Sequence, residues 1–98
     1  VAGRKRLELA RALAIEPRLL LLDEVLAGLN PSEVRDMLPV IRAIANRGVT
    51  IVMIEHNMDV ALDFAERITL LHFGKVIVEG SRAEVVADPR TREVYLGH

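Results

Sequence analysis

The sequence predicts an α/β fold with parallel core strands, flanking helices and a C-terminal antiparallel hairpin. Three observations predict it. Leu19-Leu20-Leu21-Leu22 is an apolar run closed by Asp23 and Glu24, and Val49-Thr50-Ile51-Val52-Met53-Ile54 is a β-branched run closed by Glu55 and His56. Both suit buried strands, the first covered on both faces of a parallel sheet. Arg67 to Phe73 and Lys75 to Glu79 are strand-like runs on either side of Gly74, at the spacing of a hairpin.

The elements follow in order. From Arg4 to Ile15, Leu7, Leu9, Ala10, Leu13 and Ala14 fall mostly at helical spacing among Arg4, Arg6, Glu8 and Arg11, and the helix must end before Pro17. The first strand, Arg18 to Leu22, is followed by a loop, Val25 to Leu29. Asn30-Pro31-Ser32-Glu33 then offers an N-cap, proline at the first helical position and an acid at the third. The helix it opens runs from Pro31 to about Asn46, with a bend or loosened turn expected at Pro39, which lacks a backbone donor. Gly48 closes it by permitting a left-handed cap. Asn57 caps a helix to about Ala65. Ser81-Arg82-Ala83-Glu84 is a capping box, Asp88-Pro89 breaks the helix it opens, and a last helical stretch ends at Leu96-Gly97. The parallel connections should be right-handed, with chemistry at the carboxyl ends of the strands.

Composition narrows the function. At 98 residues, 51% hydrophobic and 28% charged, the chain reads as one small globular domain. A formal charge of −1 with mixed signs offers no broad basic face, so no nucleic-acid partner is expected. Without cysteine it can form neither a disulfide framework nor a thiolate metal site, which is compatible with a reducing cytoplasm. Leu19 to Leu22, its longest wholly apolar run, falls far short of the roughly 20 residues of a spanning helix. The opening Val1-Ala2-Gly3-Arg4-Lys5-Arg6 leads into an amphipathic pattern with no initiator Met, and reads as a cut.

Two adjacent acids at the mouth of a buried strand repel each other and resist desolvation, so they call for a cation. In phosphoryl transfer, one such acid holds the magnesium shell while its neighbour polarises the attacking water. The plainer alternative for Asp23 and Glu24 is a solvated strand-end pair; for His56, closing the second strand, it is a capping or surface histidine. Acid and imidazole at two parallel strand ends are expected to converge on one site.

These residues resemble a known family. Leu19-Leu20-Leu21-Leu22-Asp23-Glu24 is similar to the Walker B motif of ABC ATPases with its catalytic Glu, Ala27-Gly28-Leu29-Asn30 resembles the D-loop, and His56 matches the switch histidine. The resemblance implies residues 1–98 as a single partial domain, the C-terminal part of a P-loop NTPase fold from the signature helix onward. It further implies ATP and Mg2+ as cofactors. Asp23 would orient magnesium through water, Glu24 would be the general base, His56 would contact the γ-phosphate and Asn30 would lie at the dimer seam. The implied partners are transmembrane permease subunits and a second ATPase subunit, at the cytoplasmic face of the membrane. Asn30-Pro31, Ile54-Glu55-His56-Asn57-Met58, the hairpin from Gly74 to Gly80 and the closing Tyr95-Leu96-Gly97 are similar to the ATPases of branched-chain amino acid importers.

The chain also departs from the family. Val25 stands where proline usually follows the Walker B Glu, which frees φ and restores an N–H. Val1-Ala2-Gly3 does not spell the signature loop. Gly3 is either that loop's last glycine, before a helix one residue short, or out of register with it. None of the six glycines precedes a Lys-Ser or Lys-Thr pair, so the phosphate-binding loop and its lysine are missing. The fragment is therefore expected neither to bind ATP tightly nor to turn it over, and to self-associate through exposed edges and apolar faces. The competing class is a non-catalytic ATPase remnant that acts by docking alone. An α/β phosphoacceptor domain is disfavoured, since it needs paired acids on an earlier strand and a lysine at a later strand end. Met37, Met53 and Met58 read as core residues. His72 and His98 lack the spacing of a metal pair, and Phe64, Phe73 and Tyr95 are too scattered for base stacking.

Overall fold

A computed structural model describes residues 2–96. Val1 of the expected signature stub and the closing Gly97 and His98 lie outside the described residues. Contacts divide the chain into two compact units, Val1–Glu55 and His56–His98.

The first unit holds α1 (Ala2–Leu13), β1 (Leu19–Asp23), α2 (Pro31–Asn46) and β2 (Thr50–Ile54). Helix α1 begins two residues before the expected Arg4 and takes in Gly3, where an added Cβ would meet nothing within 4 Å. It ends at Leu13, and Glu16 at φ 52 turns the chain towards β1. The start of α2 is a complete capping box: Glu33 N–H donates to Asn30 Oδ1 at 2.9 Å and Asn30 N–H to Glu33 Oε1 at 3.1 Å. The helix continues through Pro39 and buries Met37, Ile41 and Ile44. Gly48 at φ 97 follows its end, donating its N–H to Ala45 O at 3.0 Å, as the left-handed cap requires.

Strands β1 and β2 run parallel, Leu19 opposite Thr50 and Asp23 opposite Ile54. Their burial corrects the expectation of fully covered strands. Leu20 and Leu22 are each 6% exposed, but Leu19 and Leu21 are 53% and 69% exposed, as are Val52 and Ile54 at 50% and 53%. Because side chains alternate across a strand, one face of this two-stranded sheet is covered and the other lies open. An unbroken apolar run is the mark of two buried faces only where elements cover both.

The second unit holds α3 (Met58–Phe64), β3 (Arg67–His72), β4 (Lys75–Ser81), α4 (Arg82–Ala87) and α5 (Pro89–Leu96). The two strands pair antiparallel, from Arg67 opposite Ser81 to His72 opposite Lys75, with a bulge between Leu70 and Leu71. Phe73 and Gly74 both have positive φ, 47 and 74, which a two-residue turn of this kind needs to match the twist of its strands. Ile68, Val78 and Val85 form the core, with Leu62, Ala65, Leu70 and Ile77 packed against it. Gly80 passes close to Glu84, since a Cβ there would lie 3.2 Å from that side chain. The expected Ser81 to Glu84 capping box is present, with bonds of 3.2 and 3.0 Å. Among the described residues no helix is long and apolar enough to cross a membrane.

Candidate functional site

Asp23 is the last residue of β1 and is exposed at its carboxyl end. Glu24 follows with a left-handed backbone, φ 52, in a region that costs a non-glycine residue on the order of 1 kcal/mol. Two backbone bonds hold it there. Its N–H donates to Ile54 O at 3.0 Å, tying it to the end of β2, and its carbonyl accepts from Ala27 N–H at 3.0 Å. The second bond closes a β-turn over Val25 and Leu26. Leu26 is 5% exposed and anchors the turn. Val25 takes the turn position that favours proline, so the valine leaves the turn closed. Gly28, at φ 81, carries the chain on to Asn30.

The structure thus brings Asp23, Glu24 and the carboxyl end of β2 together. An open depression beside Asp23, between α1 and β1, is also lined by Lys5, Glu8 and Val25. Nothing in the sequence places Lys5 beside Asp23. Asn30 directs its side chain to the helix cap of α2. Gly3 lies inside α1 rather than in a loop.

His56 heads the second unit, exposed, immediately before the capping residue Asn57. Asn57 Oδ1 accepts from Val60 N–H at 3.3 Å and Asn57 O from Ala61 N–H at 3.0 Å, which fixes the first turn of α3 two residues after His56. Further along, the Tyr95 hydroxyl donates to Asp59 Oδ1 at 3.1 Å across 36 residues. The carboxylate beside it raises the Tyr95 pKa above the ordinary phenol value. No local pattern in the sequence signals this bond.

Among the described residues no group of three or more His, Asp or Glu converges to hold a metal ion. Magnesium can be bound through one or two carboxylates if water and phosphate oxygens complete its shell. The chain has no glycine-rich phosphate loop to present those phosphates. Asp23 and Glu24 are carboxylates of the kind that fit one edge of such a magnesium shell.

No protein-family model matches the chain. It is 46% identical over 94 residues to the lipopolysaccharide export system ATP-binding protein LptB of Acidithiobacillus ferridurans, a match covering 96% of this chain and 39% of that protein. It is 37% identical over 93 residues to the probable branched-chain amino acid transport ATP-binding protein LivG of Archaeoglobus fulgidus, covering 95% and 36%. The crystal structure of the ADP conformation of MJ1267, an ATP-binding cassette of an ABC transporter, shares its fold with a TM-score of 0.85 at 30% identity. That match covers 99% of this chain and 40% of the cassette. The chain spans about two fifths of the length of these relatives.

Proposed function

We propose that this chain, whose sequence and fold correspond to the C-terminal region of ABC transporter ATP-binding subunits, supplies the acid pair and the imidazole of an ATP-hydrolysing site. In this reading Asp23 belongs to the magnesium water shell, Glu24 is the base for the attacking water, His56 meets the γ-phosphate and Asn30 lies at the seam with a second ATPase subunit. The complete subunit would work at the cytoplasmic face of the membrane, bound to permease subunits, with a phosphate loop that these 98 residues do not contain.

One observation carries the reading. Glu24 is held in a left-handed conformation at the end of β1 and bonded through its N–H to Ile54, two residues before His56. Backbone strain of this kind concentrates at functional sites, and at Glu24 it falls on the residue next to the strand-end Asp23.

For the cargo, the D-loop and switch segments favour a branched-chain amino acid importer, and a LivG protein is among the relatives. The LptB relative is more similar, at 46% against 37%, and a methionine import protein of Corynebacterium jeikeium matches at 39%. None of the site residues touches cargo in this reading, so they carry the ATPase role and leave the cargo to the permease subunits.

The test is a chimera in which this chain replaces the matching C-terminal region of the Acidithiobacillus protein. It should hydrolyse ATP, and Glu24→Gln should slow hydrolysis by about a hundredfold or more, the range of a positioned general base. A chimera that folds and binds ATP but does not hydrolyse it would favour the docking-only remnant instead.

A further inference from the structure

The Tyr95 hydroxyl reaches back from α5 to Asp59, in the first turn of α3, at 3.1 Å. That turn starts at Asn57, whose side chain and carbonyl accept the Val60 and Ala61 N–H groups, and His56 is the residue before it. From this geometry we infer that Tyr95 is a positioning residue for His56: the C-terminal helix acts as a strap that holds the first turn of α3, and with it the histidine, in place. The inference rests on the role proposed above for His56, but its structural content does not require ATP.

Three features make the strap more than an incidental surface bond. A phenol donating to a carboxylate is charge-assisted, stronger than a neutral pair. α3 spans only seven residues and none of them is fully buried, so packing alone grips it weakly. α5 has an anchor of its own, because Thr91 on it is 5% exposed. The short, shallow helix that follows His56 is thereby tied to a segment seated elsewhere in the same unit.

Amide hydrogen exchange by NMR on the 98-residue chain tests this. Tyr95→Phe removes only the hydroxyl and should leave the fold intact. Val60 and Ala61 should then exchange faster, by about threefold to tenfold, while Leu70 and Val78 in the hairpin are unchanged. The His56 amide should show increased motion in relaxation measurements. Asp59→Ala should produce the same acceleration, and the double variant no more than either single one, because both remove one interaction. Unchanged exchange at Val60 and Ala61, equal acceleration throughout the unit, or additive effects in the double variant would each overturn the strap. Failure of the ATPase reading would show in the chimera and leave these rates untouched.

Discussion

The two strand pairs differ in how they are finished. The hairpin of β3 and β4 turns one face onto Val85 of α4, which is fully buried, and its outer face is polar at the base, where Thr69 donates to Glu79 at 2.7 Å. The parallel pair buries Leu20 and Leu22 on one face and leaves Leu19, Leu21, Val52 and Ile54 at least half exposed on the other. A hairpin closes through neighbours in sequence and completes its core with a short following helix. Parallel strands need a long crossover even to meet, and covering both faces takes further layers. The hairpin unit thus completes a core locally, although Leu71, Phe73 and Val76 stay exposed towards its tip, whereas the parallel pair carries the acids on a sheet with one open face.

The sharpest way to break this contrast is to empty the core of the first unit. Ile41 is completely buried in α2, and Ile41→Ala should cost about 2–5 kcal/mol. In denaturant titrations followed by NMR, the β1 and β2 amides should lose protection first, with the hairpin persisting. Simultaneous loss in both units would show one cooperative body instead.

A smaller effect separates the units by pH. The Glu84 carboxyl is held below its ordinary range by the Ser81 N–H and hydroxyl, and Asp88 by the Arg90 side chain and N–H. Lowered carboxylate pKa values add stability above the unfolded-state values, and that stability is lost as pH falls through the folded ones. Tyr95 works in the opposite sense: its raised pKa adds stability at neutral pH that disappears as pH rises through the folded value. Acid titration should therefore loosen α4 within the second unit, and Ser81→Ala should cost about 1 kcal/mol and flatten the acid response attributed to Glu84. An unchanged acid transition in that variant would remove the capping box from the explanation.

The smallest effect sharpens the open-face description. Leu21 is 69% exposed, so Leu21→Ser should change stability by less than about 0.5 kcal/mol and reduce self-association in sedimentation. A loss of more than 1 kcal/mol would mean that the face is covered.

Local chemistry made much of this fold legible. Asn30 with Glu33, Ser81 with Glu84, Gly48 and the turn at Gly74 each act over a few residues, and each stands where its sequence pattern placed it. The strand ends were legible too, because Asp23 and Glu24 interrupt an otherwise apolar run. What escaped depends on distant partners. Leucine content could not report which face of β1 is covered, the Glu24 N–H pairs with the distant Ile54, and the Tyr95 bond joins residues 36 apart. At the candidate site the residue types were readable, while the backbone that aims them was not.

That left-handed residue has a consequence for direction. In a regular strand, consecutive side chains leave on opposite sides of the sheet, so two neighbouring acids would be sent apart and could not serve a common ligand. Reversing the sign of φ at Glu24 breaks the alternation one residue after Asp23. The second carboxylate is freed from the up-and-down rule that governs the first, and adjacency along the chain can become adjacency in space.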